Sequence, residues 1–264
     1  GARAGDITVD NLTVNNNQTI YGALHAVKLP TPSIASNGLS LYYSMGTNTT
    51  PVPDDSGNGH DGVVSGATWG PATGISGGAY GFDGNDRITC ANLVITNDFT
   101  ASVWFKATTF GGSYPGIISY NDFAGFNTWI EYSGGKYMII GYIGNQYLPY
   151  TCPAISEGTW YMLTLRSDGN VKTMCLNNDV VSVTTNAARP TPGDLALGGW
   201  IGYDRFLTGA IDEPRIYNRA LSQSEINGLY YGTLPQPVSD ARFDGGVSYT
   251  APLGGLSMGS FTNR

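Results

Sequence analysis

Charge is scarce in this chain: Asp, Glu, Lys and Arg together supply 12% of its 264 residues, about half the usual share. The 13 basic residues are scattered singly and the formal net charge is −7. Neutralising a phosphate backbone needs clustered Lys and Arg, so nucleic acid is excluded as a partner, and an anionic membrane surface is disfavoured on the same ground. Long apolar runs are missing as well. None approaches the roughly 20 residues that cross a bilayer, which argues against membrane insertion. No signal peptide is visible, and the chain opens at Gly1 without an initiator Met, as a mature product or a recombinant piece would.

Cysteine and histidine are nearly absent. The 3 cysteines, Cys90, Cys152 and Cys175, cannot all pair within one chain. They are either three separate buried thiols, or one disulfide and a free thiol, with Cys152–Cys175 the pair that falls in the central strand region. With no CxxC and no nearby histidine pair, zinc is not expected. The 2 histidines are His25, near the N-terminus, and His60, in a Gly-rich loop; His60 reads as a loop residue rather than a general base. GxSxG, Cys–His and phosphate-cradling patterns are all missing.

What is present is apolar content of 41%, enough for a core, together with 37 glycines, 17 tyrosines and many Asn, Thr and Ser residues. Hydroxyls and amides therefore supply most of the polarity, a composition common among secreted and particle-surface β proteins. Helical periodicity is confined to one place. Short alternating segments separated by Gly, Asn, Asp or Pro recur instead, the pattern of an all-β sandwich or barrel. Phe99 to Phe105 and Trp160 to Arg166 alternate. Asp168-Gly-Asn170 turns into Val171 to Leu176, Asn177-Asn178 turns into Val180 to Val183, and Gly134-Gly135 leads into Lys136 to Tyr142. The one helix opens on a capping box, Ser222-Gln-Ser-Glu225, runs through Ile226, Leu229 and Tyr230, and should stop near Gly232.

The ends differ from the middle. Residues 1–37 form an N-terminal arm with two brief alternating pieces, Ile7-Thr-Val9 and Leu12-Thr-Val14, then an Asn-rich turn and a Pro30-Thr-Pro32 linker. Residues 233–264 open with Thr233-Leu-Pro-Gln-Pro237 and continue Gly-rich and weakly alternating. Neither end is large enough to own a core. Each is either disordered or an arm that completes itself on a neighbouring copy, which points to homo-oligomeric assembly through both ends.

Between them, residues 38–232 carry a family resemblance. Asp55-Ser-Gly-Asn-Gly-His-Asp-Gly62 with Ala67-Thr-Trp69, Gly78-Ala-Tyr-Gly-Phe-Asp-Gly-Asn-Asp86, Phe99-Thr-Ala-Ser-Val-Trp-Phe-Lys106, Gly158-Thr-Trp-Tyr161 and, most specific, Gly209-Ala-Ile-Asp-Glu-Pro-Arg-Ile-Tyr-Asn-Arg-Ala-Leu-Ser222 occur in order. Together they resemble the laminin-G-like jelly-roll domain of the concanavalin A-like lectin/glucanase superfamily. The resemblance implies an all-β, two-sheet antiparallel jelly-roll sandwich, one sheet presenting a concave outer surface, with one short C-terminal helix and extended terminal arms. One departure stands out: where relatives carry an acidic or Asn residue after the first strand, this chain reads Met45-Gly46-Thr47. In the closing strand, alternation places Ile211, Glu213, Arg215 and Tyr217 on one face and Asp212, Pro214 and Ile216 on the other. Pro214 lacks a ladder donor, so that strand is expected at an edge or bulged.

The chemistry expected is binding rather than catalysis. Glycoside cleavage needs two carboxylates facing each other across the sugar. The E-x-D-x-x-E strand of the glucanase members has no counterpart here. Glu131 is the only Glu in an expected central strand, Glu157, Glu213 and Glu225 lie elsewhere, and an enzyme would need Glu131 to converge with Asp122. Calcium favours clustered oxygen ligands on bendable loops. Asp55 and Asn58 offer them, the resemblance brings Asp212 near, and the alternative is that these residues form Asx-turns and ion pairs. Sugar binding needs flat aromatic faces beside amides and carboxylates. The segments around Tyr120, Asn127, Trp129, Glu131, Tyr137, Tyr142 and Tyr147, and around Trp200, Tyr203 and Arg205, are rich in both. Met138 and Ile140 look core-like, which assigns Tyr137 to the groove and makes Gly141 its floor. The expected protein is a non-catalytic glycan-binding or adhesion module on an extracellular, cell, virion or appendage surface. The alternative is a filament, fibre or virion subunit decorated by the sandwich.

Overall fold

Phe99, Ala101, Val103 and Phe105 alternate with Thr100, Ser102 and Trp104, and a strand sends these two sets to opposite sides of a sheet. The first set lies in the main core; Trp104 belongs to a second, smaller core on the far side. This strand sits at the centre of the fold. The computed structural model describes residues 11–14, 18–21, 24–25, 36–111, 114–121, 124–144, 146–149, 151–169, 171–185, 193–233 and 242–243. Its contacts separate into two units, one of Ile34–Leu234 and one of Gly1–Ser33 with Pro235–Arg264.

In chain order the elements begin with β1 (Asn11–Val14), β2 (Gln18–Tyr21), β3 (Leu24–His25) and β4 (Leu39–Tyr42). Then follow β5 (Val63–Ser65), β6 (Thr68–Gly70), β7 (Ala79–Asp83), β8 (Arg87–Leu93) and β9 (Phe99–Ala107). The middle continues with β10 (Gly116–Tyr120), β11 (Phe126–Ser133), β12 (Lys136–Ile143), β13 (Gln146–Tyr147) and β14 (Tyr161–Asp168). The rest are β15 (Val171–Leu176), β16 (Asp179–Thr185), β17 (Gly193–Leu197), β18 (Thr208–Tyr217), helix α1 (Gln223–Thr233) and β19 (Arg242–Phe243).

Two antiparallel sheets make the larger unit. A seven-stranded sheet runs β13-β12-β11-β10-β17-β8-β5, and an eight-stranded one runs β16-β15-β14-β9-β18-β7-β6, with β4 also paired to β18. The expected all-β jelly-roll sandwich is what the chain forms. Leu41, Phe82, Ile88, Phe99, Val103, Phe105, Phe126, Ile139, Leu165 and Leu197 fill the core between the sheets, each contributing roughly 1.5–3 kcal/mol by leaving water. Phe99 of one sheet stacks on Phe126 of the other, with ring centroids 5.3 Å apart. Gly134 and Gly135 link β11 to β12 at φ +60° and +81°, the left-handed pair that a two-residue hairpin turn demands.

Helix α1 begins where its capping box places it. Ser222 N–H donates to Glu225 Oε2 (2.8 Å) and Glu225 N–H donates to Ser222 Oγ (3.3 Å). The helix lays Ile226 and Leu229 against Trp104, Met162, Cys175 and Tyr217 on the outer side of the eight-stranded sheet. It runs through Gly232 to Thr233, one residue beyond the expected stop. Among the described residues no helix is long and apolar enough to cross a membrane.

Strand β18 is not an edge. It lies between β9 and the β7 and β4 strands, and its register shifts between Asp212 and Arg215. The bulge removes Pro214 from the ladder's donor requirement. Glu213 takes φ +54° there. The extra residue resets the alternation, so Ile211 and Ile216 both reach the main core while Tyr217 joins the helix-side core. The expected grouping of Ile211 with Tyr217 is corrected accordingly.

In the second unit β1 pairs with β2 and β3 pairs with β19, with Arg242 opposite His25 and Phe243 opposite Leu24. Segments from both ends of the chain thus share one ladder. The expected Ile7–Val9 piece and the Pro30–Pro32 linker lie outside the described residues, as do the turn residue Asn170 and the carboxylate of Asp122.

Candidate functional site

Register decides which way each aromatic points. Phe126 of β11 stacks on core residues Phe99 and Tyr120, so Phe126, Thr128 and Ile130 face inward. Asn127, Trp129 and Glu131 therefore face out. Across the hairpin Asn127 pairs with Tyr142, Trp129 with Ile140 and Glu131 with Met138, and Tyr142 pairs in turn with Tyr147 of β13. One outer face thus gathers Asn127, Trp129, Glu131, Tyr142 and Tyr147. A bulge in β10 between Gly116 and Ser119 keeps Gly116 opposite Trp129.

The segment after β17 folds over this face. Ser119 Oγ–H donates to Gly199 O (3.0 Å) and Gly116 N–H donates to Arg205 O (3.2 Å), fixing both ends of the loop. Trp200 then lies edge to face against Trp129 (5.2 Å) and against Tyr203 (5.7 Å). Gly116 makes this approach feasible, since a Cβ there would sit 2.4 Å from Trp200 Cδ1. The Arg205 guanidinium lies over Trp200 (4.3 Å), Tyr114 (5.0 Å) and Tyr203 (5.7 Å). Tyr147 closes the other side, edge-on to Trp129 (5.8 Å) and Tyr142 (5.1 Å).

The result has two storeys. Trp129, Tyr142, Trp200 and Asn127 are buried and form the floor. Tyr147 (53% exposed), Tyr114 (45%) and Tyr203 (40%) stand above it, with Glu131 and Arg205 half-buried at the rim. Trp129 Nε1–H donates to Glu131 Oε2 (3.0 Å), which orients the carboxylate.

Two expected members are elsewhere. Tyr120 is a core residue with no exposure. Its hydroxyl donates to Leu93 O (2.6 Å) and accepts from Gly193 N–H (3.1 Å) and Ile95 N–H (3.2 Å), and burial raises its pKa. Tyr137 shares the inward parity with Gly141, and a Cβ on Gly141 would lie 2.6 Å from Leu148 Cδ1 and 3.1 Å from Met174 Sδ. Met174 belongs to β15, so Gly141 borders the gap between the sheets rather than a groove. Tyr137 packs on Phe110 (4.5 Å) and Tyr132 (5.0 Å), not on the tryptophan cluster. Met138 and Ile140, expected inside, are the outward residues of that strand.

Tyr147 enters the expectation only as the end of an aromatic-rich segment, and Tyr114 does not enter it at all. Tyr147 had a signal, because the tight turn after Tyr142 returns the chain on the same face. Tyr114 had none, since it reaches Arg205 from a separate Gly-rich loop. It adopts φ +59°, a conformation costing roughly 1–2 kcal/mol for a side chain of this kind.

The expected calcium ligands fall into two clusters with no hydrogen-bond partner in common. Asp55 Oδ2 accepts from Ser44 N–H (3.0 Å), and Asn58 donates through Nδ2 to Leu39 O (3.0 Å) and Ser40 O (3.2 Å). Asp212 accepts from the N–H groups of Glu213 (2.8 Å), Ile75 (2.9 Å) and Ser76 (3.2 Å). Among the described residues no group of three or more His, Cys, Asp or Glu side chains is arranged around a common point. Burial, reinforced by Glu213, raises the Asp212 pKa to about 7 against the pull of those three N–H donors. Cys90, Cys152 and Cys175 are buried, unpaired thiols. Burial pushes all three up, Cys175 to about 11.

No curated protein matches the chain in sequence. Among solved structures, domain 4 of AbnA, a GH43 extracellular arabinanase from Geobacillus stearothermophilus in complex with arabinotriose, is 25% identical. The match covers 73% of this chain and 98% of that one at a TM-score of 0.59. The binding domain of Paraclostridial Mosquitocidal Protein 1 is 18% identical, covering 74% and 52% of the two chains at 0.56. Trypanosoma rangeli sialidase with the inhibitor DANA is 14% identical, covering 75% and 33% at 0.58. The last two are similar in fold, and this chain spans about half of one and a third of the other. A family model matches residues 82–227, more than half of the chain. With two antiparallel sheets in the jelly-roll arrangement and that match, the chain belongs to the concanavalin A-like lectin/glucanases superfamily, in its laminin-G branch.

Proposed function

We propose that the outer face of the seven-stranded sheet binds carbohydrate, and that the protein is a non-catalytic binding module acting at an extracellular, cell or particle surface. The carrying observation is the two-storey cluster, in which the buried floor of Trp129, Tyr142 and Trp200 holds Tyr147 and Tyr203 exposed at set angles, with Tyr114 exposed beside Arg205. Tyrosine offers broad contact area at low conformational cost, and an exposed ring stacks on the C–H face of a sugar. Glu131 and Arg205 supply polar edges for hydroxyls. The 25% identity to an arabinanase domain crystallised with arabinotriose supports the same reading. Glu131 has one oxygen committed to Trp129, which suits orienting a ligand better than the paired-carboxylate chemistry of hydrolysis.

A glycan array compares wild type with Tyr147→Ala and Tyr203→Ala, using Tyr137→Ala as a control on the other face. Binding lost in the first two and kept in the third is the expected result. No binding by wild type, or equal binding by all four, rules the reading out.

The ladder between β3 and β19 favours a second role alongside this one. We read the terminal unit as the part that assembles copies of the chain into a filament, fibre or particle. Removing residues 1–33 and 235–264 should leave a folded monomer where the full chain sediments as a larger species. Monomers in both cases defeat this reading.

A further inference from the structure

Arg205 differs from the other arginines that approach a carboxylate or a carbonyl. Arg215 pairs with Glu213 and Arg219 pairs with Glu225, while Arg166 donates to Leu221 O (2.9 Å). Arg205 has only rings: Trp200, Tyr203 and Tyr114 lie against its guanidinium. Among the described residues none comes within ion-pair or hydrogen-bonding distance of that group. Stacking occupies the flat face of a guanidinium and leaves its N–H edges unused. Those edges carry five donors in a rigid fork.

The fork is also held in place. Trp200 is locked between Trp129 and Tyr203, and the Arg205 carbonyl is tied to Gly116 N–H. Tyr114 keeps its place beside Arg205 in a left-handed backbone conformation, a strain of the kind retained at ligand sites. A pre-positioned guanidinium edge beside exposed rings matches a planar anion attached to a sugar ring. A carboxylate accepts two parallel N–H bonds from such a fork. The net charge of −7 repels a densely charged polymer, so the match is to one carboxylate at a time rather than to a polyanion.

We propose that Arg205, stacked on Trp200, Tyr203 and Tyr114, receives the carboxylate of an acidic sugar residue, so that this face selects glycans carrying uronic or sialic acid units over neutral ones. The proposal rests on the carbohydrate-binding reading of the same face.

The test uses the full chain and a printed panel in which each uronate- or sialate-bearing oligosaccharide is paired with its carboxyl methyl ester, with sulfated and neutral oligosaccharides alongside. Wild type is expected to bind the free acids at least tenfold more tightly than the esters. Arg205→Met should erase that preference, bringing the acid-to-ester affinity ratio to about one whatever happens to the affinity for esters themselves, and Arg205→Lys should restore less than half of it on a logarithmic scale, because an ammonium lacks the planar fork. If Arg205→Met does not fold, the acid-to-ester ratio of wild type still decides. Equal affinity of wild type for acid and ester, an acid preference that survives in Arg205→Met, or binding to sulfated glycans alone overturns the carboxylate assignment and leaves carbohydrate binding standing. Failure of wild type to bind any glycan removes both.

Discussion

Trp129 and Glu131 lie two residues apart on the same face of β11, and the indole Nε1–H donates to the carboxylate across 3.0 Å. The bond links the floor of the aromatic cluster to its rim. Trp129 is 3% exposed, so its N–H has little access to water if that acceptor is removed. Glu131→Ala should therefore destabilise the fold by roughly 1–3 kcal/mol, whereas Glu131→Gln retains an oxygen acceptor and should cost less than half as much. Urea unfolding of the two variants checks the order; equal losses contradict it.

The storeys predict a separation between stability and binding. Trp200 is almost wholly buried, and its removal should cost roughly 3–5 kcal/mol. Tyr147→Ala and Tyr203→Ala remove exposed rings and should stay within about 1 kcal/mol of wild type. Thermal melts read both. A Tyr203→Ala variant as unstable as Trp200→Ala would place that ring in the floor.

Asp212 gives a pH signature. Its folded pKa of about 7 lies above the ordinary carboxylate value of 3.8, so between these limits the folded state holds a proton that the unfolded chain has released. Its contribution is fully present below the lower value and is lost as pH rises through the upper one. Asp212→Asn cannot ionise, and it weakens the acceptance from Ile75, Ser76 and Glu213 at every pH. The melting temperature of wild type should exceed that of Asp212→Asn at pH 4.5, with the gap narrowing by pH 7.5. A gap that holds or widens is the contrary result.

Gly141 tests which side of β12 meets the opposite sheet. Its missing side chain makes room for Leu148 and Met174, and Gly141→Ala should cost roughly 1–3 kcal/mol by overpacking. Chemical denaturation measures it. If that position instead floored an open groove, as the pattern of the strand suggests, the substitution would be nearly silent.

That last contrast shows where the sequence was legible. Local, short-range chemistry was readable: the Ser222–Glu225 cap, the Gly134–Gly135 turn and the alternation of Phe99–Phe105 all depend on neighbours a few residues away. Face assignment in β12 was not, because both of its sides are buried and alternation alone does not say which apolar set looks inward. In β18 one additional residue at the bulge moved Tyr217 to the opposite side from Ile211. Tyr120 was misplaced for a similar reason, since an aromatic with a satisfied hydroxyl reads the same in a core as in a groove. The meeting of Tyr114 with Arg205 joins segments about ninety positions apart and leaves no trace in either.

The three cysteines lead to a different conclusion. With Cys90, Cys152 and Cys175 enclosed and unbridged, the sandwich has no disulfide to lose. Folding then has no oxidative step to wait for and offers a reductant nothing to cut, so the redox state of the surroundings does not decide whether this sandwich forms.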